Sequence, residues 1–128
     1  MTALGQTHTI KASASGVIDR GHTFAYFNVL PADITVHALY TDMVGTSGAR
    51  DWYNTTVAVI VIEQNGVETA LRCEHDNIRR TCGVEICFEF KAGDELRAKA
   101  YLNEPVAGGG DQPFNYILAY QVGGTCSS

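Results

Sequence analysis

The chain has 128 residues, a net charge of −5 and 45 % hydrophobic residues, with 9 basic residues scattered along it. That is a single domain, 1–128, large enough to bury a core. The acidic balance without a basic patch excludes a nucleic-acid footprint and argues against an anionic membrane surface as partner. No apolar run is long enough to insert in a membrane. The start, Met1 to His8, lacks the basic and apolar regions of a cleaved signal peptide, so a cytosolic protein, or one released without a cleaved leader, is expected.

Thr7–Ala14 alternates weakly and reads as an opening strand. Gly16 and Asp19-Arg20-Gly21 are turn chemistry. Thr23–Leu30, with Phe24, Tyr26, Phe27 and Val29, is a second strand, broken by Pro31-Ala32-Asp33. Ile34–Thr41 alternates, with Ile34, Val36, Ala38 and Tyr40 expected inward and Thr35, His37 and Thr41 outward. Asp42–Asn54 is a loop rich in Gly, Ser and Asp that carries Trp52.

Two β-prone runs then flank Asn65-Gly66, the strongest short hairpin signal, because a type I′ turn needs positive φ at both central positions. The expected register pairs Gln64 with Val67, Ile62 with Thr69, Ile60 with Leu71 and Ala58 with Cys73 on a core face. The other face pairs Glu63 with Glu68, Val61 with Ala70, Val59 with Arg72 and Val57 with Glu74. Two opposed glutamates are mildly destabilising, so that end is expected to be wet. The valines of that face need a cover, which another strand layer or another subunit would supply.

Glu74–Gly83 is polar and turn-like. Val84–Phe90 alternates strictly, Lys91 to Asp94 turns, and Glu95–Leu102 alternates again. Asn103–Pro113 is a second Gly-rich loop. Phe114–Val122 places Phe114, Tyr116, Leu118, Tyr120 and Val122 on one face, and 123–128 is expected to be a flexible tail. About eight short strands at roughly ten-residue spacing predict an all-β fold: an antiparallel β-sandwich, jelly-roll-like.

The cysteines stand at 73, 82, 87 and 126. Cys73, Cys82 and Cys87 are disulfide candidates, a bridge clamping the Glu74–Gly83 connection being one arrangement. Cys126 is expected to be an exposed thiol. Cys73, His75, Cys82 and Cys87 match none of the usual zinc spacings, so zinc is the disfavoured reading. Hard oxygen ligands on the two Gly-rich loops suit calcium: Asp42, Asn103, Glu104 and Asp111. The aromatic, amide and carboxylate groups of the same loops, Asp42, Trp52, Tyr53, Asn103, Asp111 and Gln112, suit a sugar, whose C–H face stacks on Trp52 or Tyr53 while its hydroxyls need polar partners.

The segment from Ala100 to Phe114, Ala-Tyr-Leu-Asn-Glu-Pro-Val-Ala-Gly-Gly-Gly-Asp-Gln-Pro-Phe, resembles the sugar and calcium loop of the small bacterial calcium-dependent galactose-binding lectins. On that resemblance Glu104 takes the place of the family's aspartate, Asp111 and Gln112 the place of its two amides, and Tyr40 that of a tyrosine contributing its backbone carbonyl. The departures are Glu for Asp and Asp-Gln for Asn-Asn. The resemblance implies a jelly-roll-like sandwich, a glycan partner and a homo-oligomer. The aromatic last strand is also similar to that of C1q/TNF-type jelly rolls, which trimerise through such strands.

No catalytic signature stands out. Gly45-Thr46-Ser47-Gly48 is not preceded directly by a strand or followed by a helix, as a nucleophile elbow requires. His37 with Asp42 is the one acid–base pair worth weighing, as the centre of a small hydrolase. The expectation is a non-enzymatic carbohydrate-binding module; the alternative is a structural or assembly subunit of a virion, tail fibre or toxin complex.

Overall fold

The computed structural model describes residues 3–4, 8–13, 23–43, 58–75, 79, 81–102 and 111–126. All regular structure among them is β: β1 (Ala3–Leu4), β2 (His8–Ser13), β3 (Thr23–Val29), β4 (Ile34–Met43), β5 (Ala58–Gln64), β6 (Val67–His75), β7 (Thr81–Val84), β8 (Phe88–Phe90), β9 (Glu95–Leu102) and β10 (Asp111–Val122). β1 and β2 both lie along β10, and β7 and β8 both lie along β4. The ten segments therefore form eight rows. One sheet runs β1/β2, β10, β4, β7/β8; the other runs β3, β9, β5, β6, and every pairing is antiparallel.

This is the order of a jelly roll. The chain is one long hairpin rolled up around its tip. β5 pairs with β6, β4 with β7/β8, β3 with β9, and β1/β2 with β10. The tip is Asn65-Gly66, whose φ angles of 53° and 84° are those of the anticipated reversal.

The core lies between the sheets. Ile10, Val36, Leu39, Phe90, Phe114, Tyr116 and Leu118 come from the first sheet. Ala58, Ile60, Ile62, Leu71, Cys73, Leu96, Ala98 and Ala100 come from the second. Burial of these side chains is the main force holding the layers together, at roughly 1.5–3 kcal/mol for each large one.

Three local departures from the expected pairing matter. His37 is the extra residue of a β-bulge on β4: Ala38 pairs with Ala119, but Val36 pairs with Tyr120. The bulge reverses the phase of β4 beyond it. Leu39 and Thr41 are buried, and Tyr40, expected inward, is exposed. Opposite the same place on the other side of β4, residues 85–87 leave the ladder, so the strand expected over Val84–Phe90 is split into β7 and β8.

The hairpin register holds at Gln64–Val67 and Glu63–Glu68, then shifts by two residues, so that Val61 meets Arg72 and Ala58 meets His75. Thr69 explains the slack. Its hydroxyl donates to the Ile62 carbonyl at 2.8 Å and accepts from the Leu71 N–H at 3.1 Å, replacing a rung of the ladder. A two-residue shift leaves the facing intact, and Leu71 and Cys73 stay in the core.

Of the outer valines, Val59 and Val61 are covered from within the chain, and Val57 lies outside the described residues. Val59 and Val61 have no exposed surface, and Glu63 is 3 % exposed. Above them stand Arg97 and Lys99 of β9 and Glu68, Arg72 and Glu74 of β6. Glu63 binds Arg97 at 2.6 Å and Lys99 at 3.1 Å; Lys99 also binds Glu68 at 2.7 Å, and Arg72 binds Glu74 at 2.8 Å. Lys99 thus bridges the two opposed glutamates, which removes the repulsion; Glu63 is buried, while Glu68 remains exposed as expected. Long charged side chains lay their aliphatic stems on the valines, doing what a further layer or a second subunit was expected to do.

All four cysteines are bridged, Cys73 to Cys82 and Cys87 to Cys126. The first closes the Glu74–Gly83 connection as anticipated. The second corrects the expectation of a thiol at Cys126. The tail is likewise held: the Gly123 N–H donates to the Asp33 carbonyl at 2.7 Å, Thr35 donates to the Gly123 carbonyl at 2.7 Å, and the Cys126 N–H donates to Glu89 at 2.9 Å.

Candidate functional site

The two ends of the sandwich are built differently. At one end the links β3–β4, β5–β6 and β8–β9 are tied to each other. Leu30 and Gly93 exchange backbone bonds with Asp94 and Leu30, and Asn65 N–H donates to the Glu95 carbonyl at 2.9 Å. The Asp94 carboxylate accepts from Lys91 N–H, Gln64 and Asn65, and these donors, led by the Lys91 amide, hold it below the usual carboxylate range.

At the other end four connections leave the sandwich, 14–22, 44–57, 76–80 and 103–110. The register places their stems side by side. Ser13 pairs with Asp111, Ala58 with both Leu102 and His75, Asp42 with Thr81, and Met43 with Phe114. The two Gly-rich loops therefore spring from adjacent strands at one end. Trp52, Tyr53, Asn103 and Glu104 lie on them, outside the described residues.

Beneath this end His75, 1 % exposed, ties the layers together. Its Nδ1–H donates to the Arg79 carbonyl at 3.1 Å, which leaves Nε2 to accept from the Thr41 hydroxyl at 2.5 Å; its ring packs on Phe114 at 4.8 Å. Sequence reasoning weighed His75 only as a zinc ligand. With Cys73, Cys82 and Cys87 in disulfides, that set offers no thiolate, and His75 is a structural tie.

The bulge at His37 turns Tyr40 and Asp42 onto the outer face of the first sheet. Tyr40 is 38 % exposed. It pairs with Gly83 on one side and Ile117 on the other. Its ring lies against Gly83, where a side chain would collide: a Cβ there would sit 3.0 Å from Tyr40 Cδ1. The phenol donates to Glu85 at 2.9 Å, and that bond, together with desolvation and the carboxylate charge, raises the Tyr40 pKa above its ordinary value. One rung nearer the loops, Asp42 is exposed and pairs directly with Asn115, which sets their Cβ atoms about 5 Å apart. Tyr40, Asp42, Asn115 and Ile117 border a shallow hollow of about 270 Å³. A pinned ring with a carboxylate and an amide beside it can stack on an apolar face and bind hydroxyls.

Asp42 and Asp111 are not brought together. Asp42 pairs with Asn115, four positions along β10 from Asp111, a separation of about 13 Å. One calcium ion, with oxygens at roughly 2.3–2.6 Å, cannot take both directly. Asp111 and Gln112 open β10 at the foot of the 103–110 connection, so any shell that includes Asp111 draws on that loop. Among the described residues no group of three His, Cys, Asp or Glu is placed to hold a metal ion. His37 and Asp42 stand five positions apart on β4, about 16 Å, so they do not form a pair.

Compared with models of known protein families and with curated protein sequences, the chain matches none.

Proposed function

We propose that the protein is a carbohydrate-binding, lectin-like module whose site lies at the loop-bearing end of the first sheet. The observation that carries this reading is the Tyr40 ring, lying against Gly83, held by Glu85, and one rung from Asp42 and Asn115. A pyranose stacks its C–H face on Tyr40 and gives its hydroxyls to Asp42 and Asn115. Calcium, in this reading, is held by Asn103, Glu104 and Asp111, and Asp42 contacts sugar rather than metal. The two disulfides suit a protein that works in an oxidising setting, where glycans are displayed.

The test is a glycan array read with calcium and again with a chelator. Binding that Tyr40→Ala abolishes supports the reading, and chelator sensitivity adds the calcium shell. Absence of glycan binding under both conditions overturns it. The assembly-subunit alternative is tested separately by light scattering, and Val59 and Val61, covered by the chain's own side chains, do not call for a partner.

A further inference from the structure

A second hollow, about 420 Å³, opens between the sheets at the edge where β2 of one sheet faces β3 of the other. Its volume lies within the range of small-molecule sites. Its polarity is graded. His8 on β2 and Asn28 on β3 stand on the two edge strands, at the open side. Deeper, the lining is Leu30, Leu96 and Leu118, which are at most 6 % exposed. Val122, 71 % exposed, forms an apolar lip at the end of β10.

The lip is fixed in place. Directly after Val122, Gly123 is bonded through both its N–H and its carbonyl, to Asp33 and Thr35, and the strap ends in the Cys87–Cys126 bridge. The lip is therefore set before any ligand arrives, which lowers the ordering cost on that side of the hollow.

We propose that this hollow binds a single-chain amphiphile, its alkyl part against Leu30, Leu96 and Leu118 and its polar end at His8 and Asn28. The lining argues for that class. Apart from Tyr120 the interior lining is apolar, too poor in polar partners for a sugar or an inorganic ion, while the polar rim at His8 and Asn28 suits a head group. The proposal is independent of the glycan site, which lies on the outer face of the first sheet.

The experiment is a fluorescence titration with N-phenyl-1-naphthylamine, followed by displacement with decanol, decanoate and, as control, galactose. The expected result is saturable binding of about one probe per chain, displaced by either ten-carbon amphiphile and not by the sugar. Decanoate outcompeting decanol assigns the polar end to an anion; the reverse assigns it to a hydroxyl. Ala32→Trp, which fills the hollow, and Val122→Asp, which charges its exposed lip, should each weaken binding by roughly tenfold or more, a change of about 1.4 kcal/mol. The second variant touches no buried residue, so it remains informative if the first is unstable. Non-saturable binding overturns the proposal, as does binding that neither variant affects. Light scattering that shows a dimer dissociated by Val122→Asp also overturns it, since a second copy would then be the occupant.

Discussion

The ring of Tyr40 rests on Gly83 with no room for a methyl group between them, a Cβ at Gly83 falling 3.0 Å and 3.2 Å from two ring carbons. The platform exists because position 83 has no side chain. Gly83→Ala should tilt the ring off the sheet and weaken glycan binding by about tenfold, while the melting temperature moves little, since an exposed strand position favours Ala over Gly. Tyr40→Phe keeps the ring and loses only the Glu85 bond, so it should retain most of the affinity. Isothermal titration with the best glycan from the array separates the two.

Glu63 should be the most sensitive charged residue among the described residues. Removing it leaves Arg97 and Lys99 facing each other over a desolvated valine surface. Breaking a fully buried pair costs about 3–5 kcal/mol. Arg97 is 30 % exposed here, and Glu63→Gln should therefore cost about 2 kcal/mol. Denaturant unfolding measures it. Glu74→Gln, at the exposed rim of the same network, should cost less than about 1 kcal/mol.

Acid should act through the same residue. Burial alone would raise the Glu63 pKa, but the hydrogen bonds and charges of Arg97 and Lys99 outweigh it and hold the carboxyl below its ordinary 4.5. The unfolded chain then binds this proton more readily than the folded one. Stability from Glu63 is complete above pH 4.5 and is lost as pH falls through the lower, folded-state value. Melting temperatures should be level from neutral pH to about 5 and fall below about 4.5. The Glu63→Gln variant should start lower and fall less steeply; parallel slopes would count against this role.

The two bridges should differ in their effect. Cys87–Cys126 closes a span of 39 residues and Cys73–Cys82 one of 9. On loop-closure entropy these correspond to about 4 and about 2.6 kcal/mol. The double variant Cys87→Ser, Cys126→Ser should therefore lose more in chemical denaturation than Cys73→Ser, Cys82→Ser. Peptide mapping without reductant checks the pairing itself.

Much of the roll was legible in the chain because its signals are local. Asn65-Gly66 marks the tip, and alternation marks the arms that pair outward from it. The misplaced features are those that local pattern does not encode. The bulge at His37 carries neither Gly nor Pro, so nothing announced that Tyr40 and Asp42 would face outward together. Thr69 replaces a rung by a side-chain bond, which leaves alternation unchanged and shifts the register silently. The cover over Val59 and Val61 is assembled from β6 and β9, and only sheet order shows that Lys99 lies between two glutamates. Cysteine pairing is set by three-dimensional proximity, and Cys126 reaches Cys87 only because the tail crosses beneath β4. Within the site, Asp42 was legible as a loop carboxylate and Tyr40 only through the lectin resemblance, whereas Gly83, Glu85 and Asn115 gave no signal, since their roles come from strands distant in sequence.

The tied end of the roll keeps its bonds whatever happens at the other rim. Doubling the length of an unconstrained surface connection costs only about 0.6 kcal/mol. A display library that lengthens or randomises the sequence between Met43 and Ala58, or between Leu102 and Asp111, leaves the bonds of Asp94 and Asp33 at the opposite end untouched. Such a library would turn this small, twice-bridged domain into a source of engineered recognition reagents.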